Sequence, residues 1–324
     1  MECCRICRGD TGRRFVANGF DWFRCECCGT TQKVLTPQQY RDLNPTYDPG
    51  SFLDACDREQ IEAFLDIEGA QKVLSGVIDE HLAGLSGSGK SFLDVGCGMG
   101  MYLLAAQRLG FEVLGFEPSS NHARVATEHF RLPVIADYFS AERVAGKKFD
   151  LIILSHVIEH IFDPKAFLHE LVGVLKPGGA LIVITPNNES FVARALGRSW
   201  PMLKPVDHVS LIGAHAYPHF ALDGVAEVHH STSEFPFEFA ASGLAAAKSL
   251  ISDSRRGRST HRVLPAESKA PPLRGLGVKA KALRCLLSVV SVPMYAAAIA
   301  ARRQACLKSV IVRSRADRPC GAQP

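Results

Sequence analysis

From residue 91 onward, short apolar runs alternate with amphipathic stretches. The runs Ser91–Val95, Glu112–Phe116, Leu132–Ala136, Phe149–Leu154 and Ala180–Ile184 have the length and apolar content of buried strands. The stretches between them, about 101–109, 119–130 and 163–175, read as helices. Strands and helices in alternation predict a parallel sheet covered on both faces. Leu175-Lys176-Pro177-Gly178-Gly179 reads as a helix stop followed by a turn.

The pattern changes outside this block. Residues 50–83 place Ile61, Phe64, Leu65, Val73, Leu74, Val77 and Ile78 at three-to-four spacing, which predicts helix. Ser86-Gly87-Ser88-Gly89 then breaks the chain. After Pro186 a helix is expected near 212–222 and a strand at Val225–His229. Residues 251–275 read as a linker, 276–303 as an apolar helix, Cys306–Arg313 as a strand, and the last ten residues as disordered. The first 45 residues are Cys-rich with little helical periodicity. The expected organisation is a zinc-ribbon-like segment over 1–45, a helical linker or cap over 46–90, and an α/β domain over 91–250. A basic Pro/Ser-rich linker over 251–275 and a C-terminal segment over 276–324 follow.

Composition narrows the class. Of 324 residues 47% are hydrophobic, which supports a sizeable core and excludes global disorder. Net charge is +4, unevenly spread: residues 250–324 hold 15 Lys/Arg against 3 Asp/Glu. This basic tail suits an anionic partner, or is simply solvated. No apolar leader follows Met1-Glu2-Cys3-Cys4, so a cytoplasmic location is expected. The longest uncharged apolar run, Cys285 to Ala301, is 17 residues and is broken by Pro293, short for a membrane span.

The chemistry concentrates at Leu93-Asp94-Val95-Gly96-Cys97-Gly98-Met99-Gly100, followed by Glu117 at the end of Val113-Leu114-Gly115-Phe116. Strand, glycine loop, helix, strand and acidic tip together form a nucleoside-binding arrangement. The spacing is G-x-G-x-G rather than G-x-G-x-x-G. The glycines allow a tight turn and close backbone approach to a ligand. The Glu117 carboxylate can accept from both ribose hydroxyls, and Asp137, after the third strand, from an exocyclic amine of adenine.

These residues resemble a class I S-adenosylmethionine-dependent methyltransferase. Phe149-Asp150-Leu151-Ile152 resembles the family's fourth strand. Ser155-His156-Val157-Ile158-Glu159-His160 resembles its "HVLEH" segment, shared by quinone-biosynthesis and sugar-tailoring enzymes, and Leu175–Leu181 its "LKPGG" turn. The resemblance covers roughly 50–230 and the strand near 306–313. It implies a Rossmann-like, doubly wound, mostly parallel seven-stranded sheet with a reversed last strand. It places the methionine end of S-adenosylmethionine at Gly96 and Gly98, Asp94 beside the loop, ribose on Glu117 and adenine on Asp137. Cys97, Gly100 and Ser155 complete the expected cofactor set. The residues after Asp137, Tyr138-Phe139, depart from the family pattern.

Two motif matches fail on context. Gly84-Leu-Ser-Gly-Ser-Gly89-Lys90-Ser91 fits a phosphate-binding loop by letter. That loop needs a strand before it and a helix after it, and the order here is inverted. His156-Val-Ile-Glu159-His160 fits H-x-x-E-H, yet it directly follows a buried strand at the substrate rim, which excludes a zinc protease. A divalent ion on Glu159 and His160 stays open beside capping and packing roles.

Six of the 11 cysteines lie within the first 28 residues. Cys4-x-x-Cys7 and Cys25-x-x-Cys28 offer four thiolates at the spacing of a structural zinc ribbon. Cys3 and Cys27 are spare and could shift the register. Two roles stay open for the ribbon. It could hold RNA through Arg5, Arg8, Arg13, Arg14, Arg24, Phe20, Trp22 and Phe23, or shape a small-molecule pocket.

Methyl transfer is an in-line displacement at a sulfonium carbon, so the protein positions the acceptor and removes its proton. The candidate bases are His208, which Asp207 could orient, His156 and His160. The exit Leu154-Ser155-His156-Val157 is not the N-P-P-Y of adenine amino-methyltransferases. The first expectation is methylation of a hydroxyl or carbon on a small molecule: a sugar, lipid-linked glycan, quinone-like ring or natural product. RNA methylation and a non-catalytic cofactor-binding module are the alternatives. The basic flanks of 276–303 suit peripheral membrane contact, and a lid or core helix accounts for them equally.

Overall fold

The computed structural model describes residues 3–9, 12–43, 58–62, 65–82, 87–203, 205–233 and 304–315. The expected linker over 251–275 and the helix over 276–303 lie outside them. So do the final nine residues and parts of the helical stretch before residue 65.

The strands are β1 (Arg13–Ala17), β2 (Phe20–Arg24), β3 (Thr31–Lys33), β4 (Ser91–Val95), β5 (Glu112–Phe116), β6 (Val134–Ile135), β7 (Phe149–Ser155), β8 (Leu175–Pro186), β9 (Ser210–Leu211), β10 (Val225–Ser233) and β11 (Cys306–Arg313). The α-helices are α1 (Pro37–Leu43), α2 (Arg58–Glu62), α3 (Ile67–His81), α4 (Met101–Arg108), α5 (Ser120–Glu128), α6 (Pro164–Gly173) and α7 (Phe191–Leu196).

Seven strands form one sheet in the order β10-β11-β8-β7-β4-β5-β6. β4, β5, β6, β7 and β8 pair in parallel, while β11 runs antiparallel to both neighbours. This is the doubly wound sheet with one reversed strand. Its central strands are buried on both faces. Leu93, Val95, Ile152, Leu154, Leu181 and Val183 face α6 (Leu168, Leu171). Phe92, Leu151, Ile153, Ala180 and Ile182 face α3 and α4 (Leu74, Val77, Leu103, Ala106). Helix starts follow local chemistry. Asp66 caps α3, Ser119 caps α5, Asp163 caps α6 ahead of Pro164, and Ser190 caps α7.

Several element bounds differ from expectation. The third strand shrinks to two residues. The Lys176–Gly179 turn is a bulge inside β8: Phe149 pairs with Leu175, but Leu151 pairs with Ala180. The helix expected near 212–222 is a 3-10 segment, Ala214–Phe220, with Pro218 inside it, which supplies no N–H to an α-helical ladder.

A second, four-stranded antiparallel sheet has the order β1-β2-β3-β9. Its first three strands come from the Cys-rich segment and its fourth from the α/β body. Thr31 pairs with Leu211 and Gln32 with Ser210. Cys4, Ile6, Phe23, Cys25 and Cys28 join the same buried cluster as Leu154 and Val183. A separate cluster of Ala17, Trp22, Val192, Ala193, Trp200, Leu203 and Leu211 closes the other side. The Cys-rich segment is therefore packed on the body rather than tethered to it.

Candidate active site

A cleft of about 420 Å³ opens at the carboxyl ends of β4, β5 and β7, the ligand position in open α/β sheets. Its floor is the β4–α4 loop. Gly96 has φ +75°, and a Cβ there would come within 2.4 Å of Val157 Cγ2. Gly98 has φ +53°, and a Cβ there would meet nothing within 4 Å, so its backbone faces open space in the cleft. The Gly96 and Cys97 amides donate to Phe116 O, pinning the loop to the end of β5.

Glu117 is buried at the cleft edge. Its Oε2 accepts from Gly98 N and its Oε1 from Ser119 N, both at 2.8 Å. Two backbone amides thus fix the carboxylate before any ligand arrives. Asp94 lies beneath the loop, fully buried, with Oδ2 unpartnered. Burial, reinforced by the Glu117 charge, pushes its carboxyl well above the usual range. An open glycine backbone and a pre-oriented acid fit the methionine and ribose groups of the expected cofactor, with the orphaned Asp94 oxygen buried beneath them.

Other expected cofactor residues sit elsewhere. Asp94, Cys97, Gly100 and Ser155 do not line the cleft. Cys97 is buried, with its thiol pushed up by burial. Gly100 is the left-handed residue that starts α4, pressed against Leu132. Ser155 ends β7, half-buried, and burial pushes the Tyr102 hydroxyl up to about 12. Asp137 lines the cleft, but one oxygen accepts from Tyr138 N and the other meets Arg143 at 2.6 Å.

The opposite wall carries His156, His160 and Asp207, with Tyr40 from α1. His156 has φ +56°, an uncommon backbone state for a non-glycine residue, and its Nδ1 lies 3.2 Å from Glu159 Oε1. Tyr40 Oη donates to His160 O at 3.0 Å. His160 Nδ1 lies 3.3 Å from Asp207 Oδ2. Burial alone would lower the imidazole pKa, but Asp207 and Glu159 outweigh it and the net shift is upward. The same contact holds Asp207 down at about 2.

Asp207 therefore orients His160, not His208. His208 is buried outside the cleft. It packs edge-on against His160 at 4.9 Å between centroids, and its Nδ1 donates to Met202 O at 2.9 Å. Burial and the His160 charge lower its pKa. Glu159 is buried behind both imidazoles, accepting from Thr185 Oγ1. Burial would raise its pKa, but His156 and His160 bring it below the usual range. Glu159, His160 and His208 each offer a ligand atom, all within 4.8 Å of one another.

Nothing in the local sequence around Tyr40 marks it as a cleft residue. Only the packing of α1 over the β7 rim, through Tyr40 and Phe162 with centroids 5.2 Å apart, brings it there. The rejected loop motif behaves as its context required: α3 precedes it, β4 follows, and Lys90 Nζ lies 3.9 Å from Asp150 Oδ1. The H-x-x-E-H segment is a short 3-10 turn, Ile158–His160, and its two imidazoles pair with different carboxylates.

In the N-terminal module Cys4, Cys7, Cys25 and Cys28 place their sulfurs within 4.8 Å of one another. Cys4–Cys28 is 3.5 Å and Cys7–Cys25 is 3.4 Å. Four thiolates around one zinc sit about 3.8 Å apart for a bond length of about 2.3 Å. Cys3 and Cys27 are exposed and lie outside the four-sulfur group, Cys27 Sγ being 3.9 Å from His219 Nδ1. Trp22 and Phe23, expected as base-stacking residues, are buried. Arg5 donates to Lys33 O and Val209 O and lies over Phe162. Trp22 and Phe23 are thus core groups, and the half-buried Arg5 is engaged within the protein.

Residues 68–221 match the family model described as a methyltransferase domain. These residues are a class I S-adenosylmethionine-dependent methyltransferase domain. The domain is 36% identical over 121 residues to a ubiquinone biosynthesis O-methyltransferase of Cereibacter sphaeroides, covering 35% of this chain and 49% of that one. It is 34% identical over 129 residues to the mitochondrial ubiquinone biosynthesis O-methyltransferase of Homo sapiens, covering 37% and 35%. The chain thus spans about half the length of the first of these relatives, and less of the second. Among solved structures, a SAM-dependent methyltransferase from Archaeoglobus fulgidus shares 14% identity at a TM-score of 0.44, over 76% of this chain and 96% of that one. Among the described residues no helix is long and apolar enough to cross a membrane.

Proposed function

We propose that this chain transfers a methyl group from S-adenosylmethionine to a hydroxyl of a small molecule, with His160 as the base. The carrying observation is one cleft that holds Gly98 and Glu117 on one wall and the His160–Asp207 pair on the other. The cofactor supplies the sulfonium methyl and its own leaving group. Glu117, fixed by Gly98 N and Ser119 N, holds the ribose. Asp137 or Tyr138 borders the adenine, while Asp94 stays buried beneath the glycine loop, outside the cleft lining. Neutral His160 accepts the acceptor's proton, and Asp207 holds its ring and stabilises the imidazolium. O-methyl transfer is what the relatives' names describe, and a hydroxyl is the acceptor that most needs a base.

The test is transfer of labelled methyl from S-adenosylmethionine to a panel of phenols, catechols and sugars. Label in a hydroxyl product, lost in His160→Ala, supports the reading. Label only in amines, or equal turnover by His160→Ala, contradicts it.

A divalent ion on Glu159, His160 and His208 is a second reading, favoured by their mutual spacing. Activity removed by chelation and restored by one metal would select it. For Cys4, Cys7, Cys25 and Cys28 we propose structural zinc: four thiolates leave no open coordination position for chemistry.

A further inference from the structure

A second cavity, about 320 Å³, lies between the N-terminal sheet and the segment after β8. It shares no lining residue with the methyl-transfer cleft. Its walls carry three arginines: Arg13, Arg24 and Arg198. Arg13 and Arg24 are directly opposed on β1 and β2. Residues in register on adjacent strands present their side chains to the same face, and like charges placed so are destabilising. Among the described residues no carboxylate pairs with any of the three guanidiniums.

The row continues across the sheet, because Arg24 is in register with Thr31 on β3. Thr31 Oγ1 donates to Asn188 Oδ1 at 3.1 Å, and Asn188 Nδ2 donates to Gly29 O. That wall is buried and fixed. Arg198 approaches from the opposite wall, the turn Gly197–Ser199 after α7. The rest of the lining is apolar, including Phe15, Trp200 and Leu203.

We propose that this cavity binds a small phosphate ester, its phosphate on Arg13, Arg24 and Arg198 and its organic group against Phe15 and Trp200. The charge selects the head group. Three guanidiniums leave a carboxylate's or a phosphodiester's single charge under-matched, whereas a phosphate monoester carries about −1.5 to −2 and accepts bidentate Arg bonds. The apolar wall selects an organic ester over free phosphate. A cleft of this volume suits a molecule of ring size, and because Trp22 and Phe23 are buried, the aromatic groups it offers a ligand are Phe15 and Trp200. The site is independent of the methyl-transfer reading.

The chain's two tryptophans are Trp22, in the cluster behind this wall, and Trp200, in the lining. Their fluorescence therefore reports locally. Full-length protein is titrated with phenyl phosphate, phenol, inorganic phosphate and a short single-stranded RNA, at low and high salt. Wild type and the double variant Arg24→Gln/Arg198→Gln are compared, with circular dichroism and S-adenosylhomocysteine affinity as folding controls. The expected result is a saturable emission change with phenyl phosphate, at least tenfold tighter than phenol or inorganic phosphate. It weakens with salt and weakens at least tenfold in the double variant, with S-adenosylhomocysteine binding unchanged. Equal affinity for inorganic and phenyl phosphate, unchanged binding in the variant, or arginine-dependent binding of RNA alone would overturn the assignment.

Discussion

His160 and Asp207 show how one contact sets two protonation states. Asp207 is held at about 2, so it is ionised throughout the working range, and its charge keeps the His160 pKa above that of free imidazole. A base acts only when neutral. Turnover should therefore fall as pH drops, along an acid limb whose midpoint lies above the ordinary imidazole value of about 6.5. Asp207→Asn removes the raising charge, so the limb should move to lower pH while the maximal rate also drops. A pH–rate profile of both proteins checks this, and an unmoved limb would show that the pair does not govern the reaction. His160→Ala should lower kcat by about 10²- to 10⁴-fold, the range for loss of a general base. The linkage signs are opposite for the two partners. The Asp207 contribution to stability is present above the usual carboxylate range and is lost as pH falls through about 2. That of His160 is full below the usual imidazole range and is lost as pH rises through its raised value.

The glycine loop and the cysteine module are each held by contacts that a single atom can test. Gly96→Ala places a methyl at 2.4 Å from Val157 Cγ2 on a backbone with φ +75°. The cost should be about 1–3 kcal/mol of stability, with a larger loss in cofactor affinity because the displaced loop carries Gly98. Thermal melting and S-adenosylhomocysteine titration measure the two effects separately. The cysteine module should contain one zinc per chain by elemental analysis. Cys28→Ser should lose that zinc and lower the melting temperature by about 10 °C, because the module packs on the same core as Leu154 and Val183. Full melting stability in a zinc-free Cys28→Ser protein would show that packing alone holds the module. Elements of the parallel sheet were legible from sequence because apolar runs and turn residues agree locally. The Lys176–Gly179 segment was not: a Pro-Gly-Gly stretch reads as a turn, and only pairing to β7 shows it to be a bulge. β9 was equally hidden, since its two residues become a strand only by lying beside β3.

Across the whole molecule, the glycine-loop wall of the cleft was readable from sequence, and so were His156 and His160 on the opposite wall, but Tyr40 and the pairing of Asp207 with His160 were not. Gly96, Gly98 and Glu117 lie within one strand-loop-helix-strand unit, so their spacing in the chain encodes their proximity. Tyr40, His160 and Asp207 meet only because the N-terminal sheet, the β7 rim and the β8–β9 connection converge. That convergence is why Asp207, adjacent in sequence to His208, turns out to serve His160. The fused architecture also gives the Cys-rich module a part in the site, through Tyr40 over His160 O. Breaking β3–β9 pairing should therefore disturb the cleft as well as the module. The central claim is that Glu117, pre-oriented by two backbone amides, receives the ribose of S-adenosylmethionine. Calorimetric titration of S-adenosylhomocysteine into wild type and Glu117→Ala tests it most directly. The account predicts one site per chain in the wild type, weakened about 10- to 100-fold by the substitution, the scale of hydrogen bonds to a charged group. No binding by the folded wild type, or equal affinity in Glu117→Ala, would contradict it.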